Sequence, residues 1–455
     1  MINFYERVKV EGSGIEMGEN DIGKRFQYNT LWIMLDKVLH MVLSLVITSL
    51  TARYLGKANY GVINYGLAYV NIFTICCKLG IDAVIVNEMI KHKEDTGSIV
   101  GTTCVLRFVS GLLSVVLTAI FVVVLKPGNT VVFMITCIQA LAVVFAAFDT
   151  IDFYFQAKLK SKYTSIAKSV SYIFVCALRV LLIWIKADVV WFAWAGVLDT
   201  FVVAILLLIF YRMDCAADKK HKLAFSGQQA KQLLTVSRPF ILSNLLVVIY
   251  TQMDRLMIGS LSANSDVENG LYAAGMNIAM YWMFIPNALI DSARPIIMTH
   301  KTEGREGDYK RTYSKLLAGV IWVSILAGVG FSLFSKLCIF ILYGREFYDA
   351  IPILIVLVWS KLFSLIGTAR GIWLVCEDYS QYVKYLIGGG ALVNLVLNFI
   401  FIPKAGAMGA AAATLITEIV GAVLLPLCMK KMRPFLKMLW DAFMLKGIGW
   451  GKNAS

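Results

Sequence analysis

The sequence predicts an all-α polytopic membrane protein of about twelve transmembrane helices in two six-helix lobes. Three observations carry that prediction. The 455 residues are 59% hydrophobic and only 16% charged, whereas a soluble domain is about 45–50% apolar and about 25% charged. Apolar runs of the roughly 20 residues that a helix needs to cross the hydrocarbon core recur along the whole chain. These runs must be helices, because lipid offers no partner to an unpaired backbone group. Finally, the second half repeats features of the first in the same order.

The spans fall at about 29–51, 60–80, 99–125, 129–154, 164–185, 189–211, 235–260, 270–299, 314–342, 350–376, 381–402 and 406–429. The first two form a hairpin around the turn 52–61, and the first carries Asp36, Lys37 and His40 in an apolar helix. Residues 1–26 are polar and lack the apolar core of a signal peptide, so they read as a cytoplasmic tail. The N-terminal lobe covers 27–211, and the longest polar connection, 212–234, reads as the cytoplasmic loop joining it to the C-terminal lobe at 235–430. Residues 431–455 form a basic cytoplasmic tail. Cytoplasmic loops collect Lys and Arg. With both termini inside, the inner segments hold 24 of them, including Arg7, Lys9, Lys219, Lys220 and Lys452, against 6 in the outer segments. That bias also accounts for the net charge of +14 without a nucleic-acid partner.

The halves match at three places. Arg53-Tyr54-Leu55-Gly56 ends the first span, and Arg255 to Gly259 ends the seventh. Gly61 and Gly66 open the second span as Gly270 and Gly275 open the eighth. The loop from Tyr154 to Tyr163 matches that from Trp373 to Tyr382. Two lobes of six spans share one orientation and place a substrate site at their interface. Pro286, near the middle of the eighth span, predicts a kink there.

No Walker A sequence, G-x-S-x-G or H-E-x-x-H is present, and there are four His. An enzyme is therefore not expected. The nine cysteines form no C-x-x-C pair, so neither a disulfide nor a metal is expected, and no cofactor. The informative residues are ionisable groups within spans, where a charge costs at least about 2.5–3.5 kcal/mol. Lys37, Arg107, Arg179, Arg255, Lys361 and Arg370 come from six spans and suit an anionic, phosphate-bearing substrate. Asp149, Asp152, Asp199, Asp254 and Glu418 are candidates for coupling to H⁺ or Na⁺. The bland alternatives are interfacial snorkelling for the cations, neutralisation of Asp149 and Asp152 by Lys158 and Lys160, and interhelical hydrogen bonds for Asp199 and Glu418.

Ala52 to Gly56 with Tyr60-Gly61, Tyr154 to Ala157, Asp254 to Gly259 with Tyr272 to Ala274, and above all Asn394 to Thr414 give the chain a family likeness. It resembles bacterial polysaccharide repeat-unit flippases (the Wzx type) of the multidrug/oligosaccharidyl-lipid/polysaccharide exporter superfamily, over roughly residues 26–432. The resemblance implies two six-helix lobes around a central cationic cavity. It implies flipping of undecaprenyl-pyrophosphate-linked oligosaccharide by alternating access in the bacterial cytoplasmic membrane. The implied partners are that lipid-linked substrate, membrane lipids, and polysaccharide polymerase and chain-length proteins. A related exporter of peptidoglycan lipid precursor, teichuronic-type polymer or drugs stays open, as does a non-transport scaffold.

Overall fold

The computed structural model describes the backbone of residues 19–215 and 222–446, and the side chains of all of these except 19–31, 33, 242, 243 and 246. Arg7, Lys9, Lys219, Lys220 and Lys452 lie outside the described residues. Every described element is helical. The first group comprises α1 (Glu19–Lys78), α2 (Ile85–Lys91), α3 (Thr96–Leu125), α4 (Thr130–Phe145), α5 (Thr150–Ala157), α6 (Ser161–Trp184) and α7 (Val189–Cys215). The second comprises α8 (Gly227–Leu261), α9 (Ser265–Tyr281), α10 (Phe284–Thr302), α11 (Glu306–Leu342), α12 (Ala350–Cys376), α13 (Val383–Ile419, continued by a π turn to Cys428) and α14 (Arg433–Phe443). One large buried apolar cluster joins α8 to α14, and three smaller clusters sit among α1 to α7.

By length and composition, eight helices among the described residues can cross a membrane, or nine if the bent pair α9–α10 is one span. The twelve expected spans do not appear as twelve, because two pairs of neighbours run together and α8, which holds the expected seventh span, is not among the candidates. The first and second expected spans are one helix, α1, broken only at Gly56. The eleventh and twelfth are α13, broken at Ala405 and Gly406. Gly56 and Gly406 have φ of 71° and 51°, a region that glycine enters without penalty. The 41° bend between α9 and α10 has its cause in Pro286. Proline has no N–H to give to the carbonyl of Trp282, four residues earlier, and the helix breaks there.

The turns predicted to lie outside all meet at one end of the molecule. Gly61 of α1 and Gly270 of α9 approach so closely that a Cβ on Gly61 would lie 1.7 Å from the Asp266 carbonyl oxygen. One on Gly270 would lie 1.9 Å from the Lys57 carbonyl oxygen. Around this contact the two groups exchange charged hydrogen bonds. Arg53 Nε donates to the Leu342 carbonyl at 3.0 Å, and Nη2 donates to Phe340 at 2.6 Å and to Ile341. The Ile341 and Leu342 carbonyls are orphans at the end of α11, where a cation also meets the negative end of the helix dipole, and Phe340 also accepts from Gly344 N at 3.2 Å. Lys57 pairs with Asp349 at 3.2 Å, and Lys126 Nζ donates to Ser265 Oγ at 2.7 Å. Within the second group, Glu268 accepts from Ala407 N at 2.7 Å and so caps the helix that restarts after Gly406.

An alanine at position 270 cannot fit this seam without moving backbone, because its nearest neighbour is a carbonyl. In a cysteine-free background, Asn277→Cys should label faster with a membrane-impermeant maleimide when Gly270→Ala is added. Unchanged labelling would mean that the close approach does not hold this end shut.

Candidate functional site

The structure gathers the charges predicted within spans into two groups, one in each half. In the first half, Arg107 on α3 is 2% exposed and pairs with Asp82, which follows the end of α1. Asp152 on α5 pairs with Lys168 of α6 at 2.7 Å and accepts from Gln156 at 3.0 Å. Lys78 reaches Asp82 at 3.6 Å. These residues and Asp149 line a cavity of about 100 Å³. Three carboxylates there face three cations, so the charge closes on itself. Lys158 and Lys160, expected to neutralise Asp149 and Asp152, instead bind Asp214 at the end of α7. A second carboxylate of this half, Asp36 on α1, accepts from Ser169 at 2.8 Å and has His40 Nε2 at 3.6 Å.

The second group is built on α8, α12 and the two limbs of α13. Asp254 is buried and takes four hydrogen bonds. Its Oδ2 accepts from Tyr272 at 2.5 Å and from Thr414 at 2.7 Å. Its Oδ1 accepts from Asn394 at 3.2 Å and from Asn398 at 2.7 Å. One turn separates Asn394 from Asn398, so a single helix face presents both amides. Glu418 accepts from Tyr250 at 3.3 Å. Lys361, buried on α12, feels both carboxylates and the neighbouring Arg255. Arg370, one helical turn pair further along α12, interacts with Glu418 and donates to the Gly421 carbonyl at 2.7 Å. A cavity of about 330 Å³ opens between Tyr250, Ser364, Thr368, Arg370 and Glu418. By formal charge, the cations Arg255, Lys361 and Arg370 of this group outnumber the carboxylates Asp254 and Glu418 by one, and of the five only Arg370 and Glu418 line the cavity.

The remaining sequence candidates lie apart from both groups. Asp199 accepts from Ser171 at 2.7 Å, an α6–α7 hydrogen bond, and Arg179 is half-buried on α6 with its Nε unpartnered. Lys37 is exposed, and no ion pair to it is found among the described residues. Asp82, Lys168 and Tyr250 were not singled out from sequence. Tyr272, Asn394, Asn398 and Thr414 were noted there only as family-like residues.

A family model described as "Polysaccharide biosynthesis protein" matches residues 26–299. The chain belongs to that family. Among curated proteins, this family member is 25% identical over 199 residues to the "Probable low-salt glycan biosynthesis flippase Agl15" of Haloferax volcanii. That match spans 44% of this chain and 42% of the relative's length. Among solved structures, the family member superimposes on "Lipid II flippase MurJ, inward closed conformation" with a TM-score of 0.69 and 16% identity, covering 93% and 94% of the two chains. An inward-facing multidrug resistance MATE family transporter of the MOP superfamily matches with a TM-score of 0.58 and 14% identity over 91% and 96%. The fold is that of the MOP-superfamily transporters, and the family member is a multi-pass membrane protein.

The Asp254 carboxylate supports four buried donors, and each donor left without an acceptor costs about 1–3 kcal/mol. Asp254→Ala should therefore lower the unfolding temperature in detergent by more than Asp199→Ala, which leaves Ser171 its hydrogen bond to the position-199 backbone carbonyl at 2.9 Å. Equal shifts would show that the four donors find other acceptors.

Proposed function

We propose that the protein is a flippase that carries undecaprenyl-pyrophosphate-linked oligosaccharide repeat units from the inner to the outer leaflet of the bacterial cytoplasmic membrane. The product is surface polysaccharide: O-antigen, capsule or exopolysaccharide. The observation that carries this reading is the surplus cation of the Arg255, Lys361, Arg370 group against Asp254 and Glu418. A pyrophosphate brings the missing negative charge, and Arg and Lys are the side chains that bind it. Glu418 and Asp254 lie near Lys361 while the site is empty, and Asp254 itself is satisfied by its four neutral donors.

Translocation proceeds by alternating access. Both termini are cytoplasmic, so the end closed by Gly61, Gly270 and Arg53 faces outward. Substrate enters from the inner leaflet, and the outer seam then opens while the opposite end closes. Asp254 couples this change to H⁺ or Na⁺. Cation uptake there would require the Asn394 and Asn398 amides, which now donate N–H to Asp254, to turn their oxygens toward it, giving a hard-oxygen site with the carboxylate and the Thr414 hydroxyl. Polymerase and chain-length proteins take up the flipped product.

The test is complementation of a bacterium lacking its own repeat-unit flippase, with surface polymer read by immunoblot at matched membrane levels. Arg255→Ala and Lys361→Ala should each lower polymer at least about tenfold, equivalent to roughly 1.4 kcal/mol of lost stabilisation. Lys37→Ala, outside that group, should lower it less. If polymer survives both of the first two changes, the reading of a cationic pyrophosphate site is wrong.

A further inference from the structure

Helix α14 has no part in either charge group, and its docked and open sides differ in chemistry. One face is docked. Phe435 and Ala442 are buried, with the Phe435 ring 5.8 Å from Trp373 of α12. The Phe443 ring stacks on Trp322 of α11 at 6.1 Å, with planes 11° apart. Arg433, Lys437 and Trp440 stand at i, i+4 and i+7, so they share the open face. That face begins cationic, with exposed Lys430, Lys431, Arg433 and Lys437, and ends apolar: Trp440 is 58% exposed, and Met444 and Leu445 just beyond it are 49% and 51% exposed. Asp441 is the one acid among five cations from Lys430 to Lys446.

The depth of this helix follows from the spans that flank it. The last candidate span ends at Cys428, five residues before Arg433. Phe435 meets Trp373, three residues before α12 ends at Cys376. Helix α14 therefore sits where two spans end, at the level where tryptophan gathers in membrane proteins. An open face that runs from cationic to apolar, at that depth, suits a helix lying in the interface.

We propose that α14 is a binding surface for anionic phospholipid. Trp440, Phe443, Met444 and Leu445 enter the acyl boundary, while Lys430, Lys431, Arg433 and Lys437 lie among the headgroup phosphates. Through the Phe435 and Phe443 contacts, lipid charge is felt at the ends of α11 and α12, and α12 is the helix that carries Lys361 and Arg370. A second protein chain fits this surface less well. It would have to offer apolar and acidic groups together at a depth that lipid already occupies.

The full-length protein, with its native cysteines replaced and a nitroxide attached at Met444→Cys, is placed in nanodiscs. These contain phosphatidylcholine alone or with phosphatidylglycerol. Collision of the label with oxygen and with a water-soluble nickel chelate reports its depth. The ratio should favour oxygen, and should rise at least about twofold when phosphatidylglycerol is added. Added salt should reduce that rise, because exposed charges are screened. The double change Arg433→Gln, Lys437→Gln should abolish it, and Lys437→Arg should keep it. Three results would overturn the proposal: a label open to nickel in both membranes, a label closed to both reagents because protein covers it, or indifference to phosphatidylglycerol.

Discussion

The close approach of Gly61 and Gly270 is the constraint on which the rest of the architecture depends. No side chain fits there, since any Cβ would overlap a backbone carbonyl. Because the two backbones touch, Arg53 reaches the last carbonyls of α11 and Lys57 reaches Asp349. The contact also places Ala52 and Tyr60 of α1 inside the apolar cluster of the second half. One end of the molecule is therefore continuous packing across both groups of helices. A narrow seam of backbone contact and hydrogen bonds can part without exposing a large apolar core, as an alternating-access transporter requires.

Charge in lipid sets the second constraint. In the first half the solution is closure: Arg107, Lys168 and Lys78 meet Asp82, Asp149 and Asp152 around a small cavity. Such a cluster is costly to break, because removing one partner strands another at membrane depth. In the second half, Asp254 is satisfied by neutral donors instead, so its charge is stabilised without consuming a cation. Arg255, Lys361 and Arg370 then outnumber the carboxylates of their group by one. The same residue types give a closed ion-pair cluster in one half and a carboxylate held by neutral donors in the other, according to what each carboxylate accepts.

Much of this was legible in the sequence, for physical reasons that differ by element. Span positions follow from apolar runs, and glycine at 56 and 406 marks the places where long helices turn. Pro286 announces the bend after Trp282 because a missing N–H acts within four residues. The 60-residue continuity of α1 was not legible, since nothing local separates a one-residue break from a turn. Ion-pair partners were not legible either. Asp152 meets Lys168 and Lys158 meets Asp214 because of how α5, α6 and α7 pack, whereas sequence proximity had matched Asp152 with Lys158. Asn394 and Asn398 did carry a signal, two amides one turn apart in an apolar helix, but only the fold shows Asp254 opposite them. The segment after Lys430 reads as a basic tail by composition, and its docking through Phe435 depends on Trp373, some sixty positions earlier.

The central claim is that the two groups of helices rock about this seam, so that the ends open in turn. The direct measurement is double electron–electron resonance on two spin-labelled pairs in membranes: Asn59→Cys with Arg345→Cys across the seam, and Lys162→Cys with Lys310→Cys at the opposite end. With lipid-linked oligosaccharide added, the account predicts a population in which the seam pair lengthens while the other pair shortens. If both pairs keep their distances, or lengthen together, the molecule does not alternate about this seam and the account is wrong.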